Sequence, residues 1–553
     1  MAAKVKGARV ESSRNLATLV AAAAAGTVFE WYDFYIYGSI LAIISRQFFG
    51  GLNETAAYIF ALLVFGAGFA VRPLGALVFG RIGDRLGRKK AFLITMSIMG
   101  AATFAIGLLP TYAQVGILAP ILLVSMRLLQ GFAVGGEYGG AVVYVAEHAP
   151  PGKRGLYTGW LQATASMGLV AALAVVILTR RALGEEAFAA WGWRIPFLIS
   201  LVLLAISLWM RMRLEESPVF ERMRRQGTLS RAPIAESFAH WANLKYVFIA
   251  LAGFMAAHAV IWYSIHFYSQ VFLERVLKVP GATVSDILIV AVIVSLPLYI
   301  FFAWLSDRIG RKPIMLAGIA LSALLFFPLY KAMAVSANPS LIIAQAESPV
   351  SVIADSSACS LQFDPVGAEQ FVTSCDIAKN ILATSGIGYR NIAAPPGALA
   401  EVRIGDIVIP SVEGRGLSRE ELAPLRAALD ARLKEALVGA GYPTAANSGG
   451  VDATSIILIL IVLMVLATMI YGPLAAVLVE LFPSRIRYTA MSLPYHVGNG
   501  WFGGFTPAIA LATMAATGDI FSWIWYIVII ASFSAAFAFF YLPETFERDI
   551  EKL

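Results

Sequence analysis

Five ionisable residues lie inside segments that are otherwise apolar. The stretch TVFEWYDFYIYG carries Glu30 and Asp33, and later apolar segments carry Arg72, Arg127 and Glu137. Ionisable side chains are costly in a bilayer core and usually serve a function there. Burial favours the protonated form of a carboxyl group, whereas a nearby guanidinium favours the ionised form. A carboxyl group that approaches and leaves an arginine could therefore take up and release a proton.

The remaining composition predicts a membrane protein. Only 14% of the 553 residues are charged and the mean hydropathy is +0.74, so polar surface is scarce for a soluble domain. Apolar stretches long enough to cross a bilayer recur along the chain. We expect twelve spans, near residues 16–45, 56–79, 91–109, 117–146, 156–179, 195–210, 246–272, 285–305, 314–333, 454–478, 489–514 and 520–541.

Lys and Arg cluster in every second connection between these spans. Because such clusters favour the cytoplasmic side, we expect a multi-pass protein of the bacterial inner membrane with both termini in the cytoplasm. The net charge of +7 then reflects orientation, and a nucleic-acid partner is not expected.

Two motifs occur twice. GDRLGRKK (83–90) matches SDRIGRKP (306–313) at an offset of 223 residues, and Glu-x-x-Pro-x-x-x-Arg occurs at 147–154 and 480–487, an offset of 333. Parallel repeats of six helices characterise one class of transporter. The difference between the offsets indicates that about 110 residues are inserted between the two motifs of the second half.

The insertion, at residues 335–451, is predicted to be a small periplasmic α/β domain. PVSVIAD and AEVRIGDIVIP alternate like strands, and a Ser418–Glu421 capping box opens a helix with a leucine stripe. Both cysteines, Cys359 and Cys375, fall here and could form a disulfide outside the membrane; two unpaired thiols are the alternative. The insertion contains no histidine, and a metal site is not expected.

The predicted fold class is an all-α membrane protein with twelve transmembrane helices in two six-helix bundles and this inserted domain between helices 9 and 10. The predicted regions are a cytoplasmic tail (1–15), the N-terminal bundle (16–211), a cytoplasmic linker (212–245), helices 7–9 (246–334), the inserted domain (335–451), helices 10–12 (452–542) and a cytoplasmic tail (543–553).

GRIGDRLGRKK (80–90) resembles the loop between helices 2 and 3 of the major facilitator superfamily. VFEWYDFYIYG, RLLQGFAVGGEYGG, WGWRIPFL and EESPVF together are similar to its metabolite:proton symporter branch, whose members carry citrate, α-ketoglutarate, shikimate and proline or betaine. LPETFERDIEKL is similar to the end of related sugar porters. The resemblance covers both membrane halves but not the insertion, and it implies two bundles that rock about a central site.

The repeated loop motifs predict a cytoplasmic gate made of ion pairs. The gate residues are Asp84, Arg85, Arg88, Glu147, Arg154, Asp307, Arg308, Arg311, Glu480 and Arg487. Contacts of a few kcal/mol suffice to bias a conformational switch. The alternative is that these charges only fix the topology.

Asp33 and Arg127 are predicted to couple a proton to transport. At 1.5 Å per residue, Asp33 lies roughly 25 Å from the inner end of helix 1 and Arg127 roughly 15 Å below the outer end of helix 4, so both fall in the outer to middle membrane. Related sugar porters use an acid and an arginine on these helices in this way. Glu30, one turn from Asp33, could share the proton. Glu137 lies among glycines, and a structural hydrogen bond is as plausible as a transport role.

The substrate-binding candidates surround the expected centre of the protein. Arg72 could hold a substrate carboxylate or neutralise Glu30 or Asp33. His258, Trp262 and His266 recur every four residues on helix 7 and could line the cavity, although an isolated histidine is more often a packing residue. The full predicted set is Arg72, Tyr37, Gln162, His258, Trp262, Tyr263, His266, Tyr495, His496 and Asn499.

We therefore predict a proton-coupled importer of a small organic acid, because intramembrane arginines and histidines suit carboxylates. The alternatives are a carrier of a zwitterion such as proline or betaine, a proton antiporter or exporter, and a sensor that detects ligands with the outer domain. An enzyme is not expected, since no nucleophile–base pair, nucleotide loop or metal cluster stands out, and no cofactor is expected. The expected partners are the substrate, a proton and the bilayer; the inserted domain could bind a protein, and the chain should act as a monomer.

Overall fold

The computed structural model describes residues 2–51, 54–213, 215–363, 370–447 and 449–550. Small parts of five predicted regions lie outside these residues: residue 1 of the N-terminal tail, residues 52–53 of the N-terminal bundle, residue 214 of the linker, residues 364–369 and 448 of the inserted domain, and residues 551–553 of the C-terminal tail. The protein is mostly helical.

The described residues of the first half form ten helices and one π-helical turn. They are α1 (Ala2–Ser39), α2 (Leu41–Phe48), α3 (Glu54–Ala70), α4 (Arg72–Leu86), α5 (Arg88–Leu108), α6 (Tyr112–Val115), α7 (Leu118–His148), α8 (Arg154–Leu183), α9 (Glu185–Ala187), the π-helical turn Phe188–Gly192 and α10 (Arg194–Met212).

Helix α1 begins at Ala2, well before residue 16, where hydropathy places the start of the first span. The preceding stretch contains no proline and is rich in alanine, lysine and arginine, which favour helix. Hydropathy therefore marks the apolar part of this helix and not its beginning.

The second predicted span is divided at Val71, where Pro73 lies in the first turn of α4, a position at which proline's missing N–H costs nothing.

Two short helices, α11 (Pro218–Gln226) and α12 (Pro233–Phe238), connect the halves. The second half then begins with a 36-residue helical segment, Trp241–Val276, in which π-helical turns interrupt the α-helix twice and a third π-helical turn ends it. Its parts are α13 (Trp241–Ala250), Leu251–Met255, α14 (Ala256–Tyr263), Ser264–Tyr268, α15 (Ser269–Val271) and Phe272–Val276, the unlabelled ones being π-helical. Such turns are frequent at functional sites.

The second half continues with α16 (Gly281–Ile309) and α17 (Arg311–Ala337), and, after the sheet described below, with α21 (Ala453–Leu481), α22 (Arg487–Val497), the π-helical turn Gly498–Gly503, α23 (Thr506–Thr517) and α24 (Ile524–Tyr541). Within the described residues, nine helical segments are long and apolar enough to cross a membrane: α5, α7, α8, α10, Trp241–Val276, α16, α17, α21 and α24.

Residues 338–450, which we call the sheet segment, lie between α17 and α21. They contain α18 (Pro339–Glu347), β1 (Val350–Ala354), a 3-10 turn (Ser356–Ala358), α19 (Ser374–Thr384), β2 (Tyr389–Ala393), β3 (Glu401–Ile404), β4 (Ile407–Pro410) and α20 (Arg419–Gly439). The strand order is β2-β1-β3-β4.

In this sheet β1 is parallel to β2 and antiparallel to β3, which is antiparallel to β4. Buried and half-buried side chains alternate along β1, as expected for a strand with one face on a core. The Ser418–Glu421 capping box opens α20. A disulfide joins Cys359 to Cys375, whose Cα atoms are 5.3 Å apart.

The two halves meet along long helices. Helix α8 of the first half packs on α16 and α21 of the second, and α4 packs on α22. Within the first half, α4 packs closely on α7, where a Cβ atom added to Gly135 would overlap the backbone oxygen of Arg72. Glycine at this position allows the close helix approach that membrane interiors favour, and it fixes Arg72 near the centre of the protein.

Candidate functional site

Aromatic rings from both halves form three stacked pairs at the centre of the protein. Tyr138 of α7 stacks on Tyr495 of α22 with centroids 3.6 Å apart and an interplanar angle of 5°. His258 stacks on Tyr471 at 4.4 Å. Trp262 stacks on His266 at 4.3 Å. All six side chains are buried, so this structure holds the centre closed.

The hydroxyl group of Tyr299, on α16, connects these rings to the first half. Trp262 donates its indole N–H to that oxygen at 3.3 Å, and His266 Nε2 lies 3.2 Å from it. Ser166 of α8 lies 3.3 Å away. Tyr299 is fully buried and therefore joins the ring cluster to α8 through one polar contact.

Gln162 of α8 bridges the same two halves. Its amide donates to the backbone oxygen of Tyr471 at 2.8 Å, and its oxygen accepts from the Tyr138 hydroxyl at 3.1 Å. The hydroxyls of Tyr471 and Tyr495 lie 3.2 Å apart. The predicted residues Gln162, Trp262, His266 and Tyr495 thus share one polar and aromatic cluster.

Arg72 lies at the edge of this cluster with much of its guanidinium unsatisfied. The side chain is 1% exposed and stands over the rings of Phe34 at 4.5 Å and Phe69 at 4.1 Å. Its Nε and Nη2 atoms have no hydrogen-bond partner among the described residues, whereas the Tyr263 hydroxyl lies within hydrogen-bonding reach of the guanidinium and His496 lies nearby. Neither ring nitrogen of His496 makes a hydrogen bond of good geometry within the described part of the chain, and the Gly135 backbone lies close to the ring.

Three carboxyl groups surround one small cavity in the first half. Glu30 and Asp33 of α1 and Glu137 of α7 line a cavity of about 10 Å³, close to the smallest volume that holds one water molecule. The carboxyl groups of Glu30 and Glu137 lie within hydrogen-bonding reach of each other. Two adjacent carboxylates cannot both be ionised at low cost, so this pair is suited to holding one proton.

Arg211, at the end of α10, neutralises this acidic group. Its Nη1 atom lies 3.0 Å from Glu137 Oε1, and its guanidinium stands 3.4 Å above the ring of Phe92. The side chain is 1% exposed. Arg211 is therefore a sixth charged residue of the interior, although its position next to the linker made it look like a surface charge.

Asp33 and Arg127 make no ion pair within 4 Å of each other in the described structure, but a polar chain runs between them. Asp33 is 6% exposed and lies beside the Thr103 hydroxyl. Gln130 donates to Thr103 at 2.7 Å and accepts from Arg127 at 2.8 Å. Arg127 also stands over the ring of Tyr37 at 4.3 Å. The predicted partners are thus buried together and separated by two side chains.

The first of two charge networks consists of Asp84, Arg88, Glu147 and Arg487. Arg88 lies 2.8 Å from Asp84 and 3.8 Å from Glu147, and Arg487 lies 2.9 Å from Glu147. Asp84 also accepts the backbone N–H of Thr489 at 2.9 Å, in the first turn of α22. Helix N-termini attract negative charge, so this first-half acid caps a second-half helix.

The second network, Asp307, Arg311, Glu480 and Arg154, repeats the first with the halves exchanged. Arg311 lies 2.7 Å from Asp307 and 3.2 Å from Glu480, and Arg154 lies 3.8 Å from Glu480. Asp307 accepts the backbone N–H of Leu156 at 2.7 Å, in the first turn of α8. Each half thus caps a helix of the other, and together the networks fasten the halves at one end.

Three predicted residues lie outside these groups, and a fourth, Tyr37, touches them only through Arg127. Arg85 is exposed, and Arg308, also exposed, stands over the Trp304 ring at 4.1 Å, so neither belongs to a network. Tyr37 donates its hydroxyl to the Ala61 backbone at 2.9 Å beneath Arg127. Asn499 donates to the Tyr495 backbone at 3.0 Å, within its own helix.

A family model described as "Sugar (and other) transporter" matches residues 18–237 and 436–553, more than half of the chain. The chain belongs to this family of the major facilitator superfamily. The relatives and the fold are those of transporters and not of enzymes.

Among curated members of the transporter family, the shikimate transporter of Escherichia coli (strain K12) is 37% identical over 321 residues, 56% of this chain and 70% of the relative. The proline/betaine transporter of Salmonella typhimurium (strain LT2) is 39% identical over 321 residues, 56% of this chain and 63% of the relative. The citrate-proton symporter of Klebsiella pneumoniae is 36% identical over 297 residues, 53% and 65% respectively. The chain thus spans slightly less than two thirds of the latter two relatives.

Solved structures of this superfamily share the fold. The proton:xylose symporter XylE bound to 6-bromo-6-deoxy-D-glucose superposes with a TM-score of 0.60 at 15% identity, covering 98% of each chain. A partially occluded inward-open form of the E. coli xylose transporter gives a TM-score of 0.55 at 15% identity, covering 97% of this chain and 99% of that one.

In this transporter, sequence reasoning missed several residues that the structure brings into the site. Tyr299 and Tyr471 could have been noticed as isolated tyrosines in apolar spans. Glu216 accepts the backbone N–H of Lys89 at 3.2 Å, and Glu544 accepts that of Arg311 at 2.9 Å. Both acids follow the last long helix of their half, and that repeated position was the available signal.

Proposed function

We propose that this transporter is a proton-coupled importer of a small organic acid that works by alternating access. The observation that carries the proposal is the cavity shared by Glu30, Asp33 and Glu137, beside a polar chain that leads to Arg127. Buried carboxyl groups next to a water-sized space can take up protons, and a movable arginine can expel them.

The coupling step follows from the separation of Asp33 and Arg127. In this arrangement Gln130 holds Arg127 away from Asp33, and Asp33 can carry a proton. A shift of α7 against α1 that brings the guanidinium onto Asp33 would favour the ionised carboxyl group and release the proton. Substrate bound between the halves would favour that shift if it binds one arrangement more tightly.

We further infer twelve membrane crossings in a bacterial inner membrane. Nine crossings are the nine apolar segments. The three further crossings are α1, α3 with α4, and α22 with α23. With both termini in the cytoplasm, residues 335–451 lie in the periplasm as an inserted α/β domain, and both charge networks lie at the cytoplasmic side. Under this topology the present arrangement is closed to the cytoplasm. We expect the transporter to act as a monomer.

Asp33→Asn tests the coupling. Purified protein in liposomes would be assayed with the acid that gives the largest thermal shift in a panel of mono-, di- and tricarboxylates, betaines and aromatic acids. We expect Asp33→Asn to lose accumulation driven by an imposed pH gradient and to keep exchange of labelled for unlabelled acid. Asp286→Asn, at an exposed acid of α16, should keep both. Full uphill uptake by Asp33→Asn would refute the assignment.

A carrier of a zwitterion such as proline or betaine is the second candidate. The proline/betaine relatives favour it. Uptake of betaine in the same assay would select this candidate. Outward transport driven by the gradient would indicate an antiporter, and binding without any transport would indicate a sensor.

A further inference from the structure

We propose that the central site binds a planar ring that bears a single carboxylate, with Arg72 as the counterion of that carboxylate and with Tyr138 and Tyr495 as the two walls of the ring slot. This inference rests on the proposed function, since it names the class of acid that the same site takes.

The arginines of the interior differ in whether an acid faces them. Arg211 is paired with Glu137 at 3.0 Å, and Arg127 is engaged by Gln130 and by the Tyr37 ring. Arg72 has no carboxylate within 4 Å in the described structure, where its charge reaches Glu30 only at longer range, and two of its nitrogen atoms there have no acceptor. A buried unpaired charge is costly, so this guanidinium calls for one anionic group.

The geometry of a guanidinium suits a carboxylate in particular. Its nitrogen atoms form a planar fork that can donate two parallel hydrogen bonds to the two oxygens of one carboxylate. Nε and Nη2, the two unpaired atoms of Arg72, form one side of that fork. A second carboxylate would find no further unpaired arginine among the described residues of the centre, so di- and tricarboxylates would carry an uncompensated charge into a buried site.

The shape of the slot follows from the Tyr138–Tyr495 stack. These rings are nearly parallel and in face contact at 3.6 Å, and they belong to opposite halves. When the halves separate, two flat parallel faces part, and a planar ring entering between them would replace one stacking contact with two. Stacking between aromatic rings contributes to binding beyond the apolar area that it buries.

The polar surroundings suit an uncharged ring better than an ammonium group. The faces of His258, Tyr471, Trp262 and His266 are occupied by stacking on one another. No described carboxylate is paired with any of these residues, so a cation there would find no counterion. The ring nitrogens of His496 can instead donate to or accept from a neutral hydroxyl group on the ring.

The test compares probes that change one property at a time, by thermal shift and tryptophan fluorescence titration of the purified full chain. Benzoate has the planar ring and one carboxylate, cyclohexanecarboxylate loses the planarity, and benzamide loses the charge. Trimesate and tricarballylate add carboxylates, and glycine betaine replaces the ring with an ammonium group. We expect benzoate to bind most tightly.

Two variants connect this selectivity to the named residues. Arg72→Gln should weaken benzoate binding about 10-fold to 100-fold, the range for a hydrogen bond between charged groups, and Arg72→Lys should recover part of it. Tyr138→Leu should weaken benzoate more than cyclohexanecarboxylate. Arg225→Gln, at an exposed arginine of α11, is the matched control, and size-exclusion profiles check folding. If the Tyr138→Leu variant still binds cyclohexanecarboxylate, the binding site of this variant is intact.

Tighter binding of tricarballylate or betaine than of benzoate, or benzoate binding that Arg72→Gln leaves unchanged, would overturn the proposal. The outcomes also separate the two claims. Benzoate binding with no proton-driven uptake would refute the importer and keep this site, whereas proton-driven uptake of betaine alone would keep a proton-coupled importer and refute this site.

Discussion

At the scale of single residues, Arg211 changes the chemistry of the interior most. Arg211 lies 3.0 Å from Glu137. Without Arg211, Glu30 and Glu137 would be two adjacent carboxyl groups with no cation beside them. With it, one of them can stay ionised while the other holds a proton. Since removing one partner of a buried ion pair leaves the other charge uncompensated, the pair should be sensitive to single substitutions and tolerant of a matched double substitution.

We expect Arg211→Met to destabilise the protein by about 3–5 kcal/mol, as breaking a buried pair typically does. Arg211→Met combined with Glu137→Leu should recover most of that loss, because no buried charge is left alone. Thermal unfolding in detergent measures both. Arg213→Met, two residues further and exposed, is the control. A single variant as stable as the wild type would contradict the assigned pairing.

At the scale of elements, strand β2 of the sheet segment caps the C-terminal end of helix α23. The last carbonyl groups of a helix have no intrahelical partner. At the end of α23, Asn391 donates its side-chain amide to Ala516 and Thr517, each at 3.1 Å, and the Tyr389 hydroxyl donates to Ala515. The sheet segment thereby holds the end of a helix that continues from the π-helical turn next to His496.

The sheet segment also holds the end of the Trp241–Val276 segment. Asn338 donates to the Leu277 backbone at 3.0 Å, and the Ala446 N–H donates to Lys278 at 2.9 Å. Lys278 is the only non-glycine residue with positive φ in the described part of the chain. Because these contacts all fall on the second half, the sheet segment should move with that half as one body.

Asn391→Ala should loosen the end of α23 without unfolding the sheet. Two hydrogen bonds of about 1 kcal/mol each are lost, so amide hydrogen exchange at residues 512–518 should become roughly tenfold or more faster. Arg390→Ala changes an exposed neighbour on the same strand and should leave that exchange unaltered. Equal exchange in the two variants would show that β2 does not cap the helix.

At the scale of the whole molecule, the two charge networks determine how the halves are held. Each contains an acid that caps a helix of the opposite half, Asp84 on α22 and Asp307 on α8. Because the arrangement is repeated with the halves exchanged, both sides of the contact must be released before this end can open. Removing either acid should therefore shift the equilibrium toward the open arrangement.

A reporter cysteine measures this shift. Ala303 of α16 is fully buried against Gly159 of α8, and both native cysteines are in the disulfide. We expect Ala303→Cys to react slowly with a water-soluble maleimide, and about tenfold faster when Asp84→Asn or Asp307→Asn is added. A tenfold change corresponds to a loss of about 1.4 kcal/mol from the free energy that favours the closed arrangement. Arg308→Gln, outside both networks, should not change the rate. Unchanged labelling in both acid variants would refute a role of the networks in closure.

Hydropathy and the repeated motifs predicted the membrane class, the two halves and the position of the extra segment. These features depend on local composition and on comparison of the chain with itself, which need no knowledge of contacts. The transporter family confirms the resemblance of the loop motif at 80–90. Four-residue spacing also placed His258, Trp262 and His266 on one face of a helix, whereas Tyr495 was a candidate only as a polar residue of its span; their role in binding stays a prediction.

The sequence by itself determined that this chain is a membrane transporter of two repeated halves with charged residues in its interior, since each of these properties depends on the composition or the motifs of short stretches. Only the tertiary structure decided which charges meet: Arg211 with Glu137, Gln130 between Arg127 and Asp33, and Arg487 with Glu147 across 340 residues. Such pairs depend on how helices cross and rotate against one another, and that packing is settled by the whole set of side chains together.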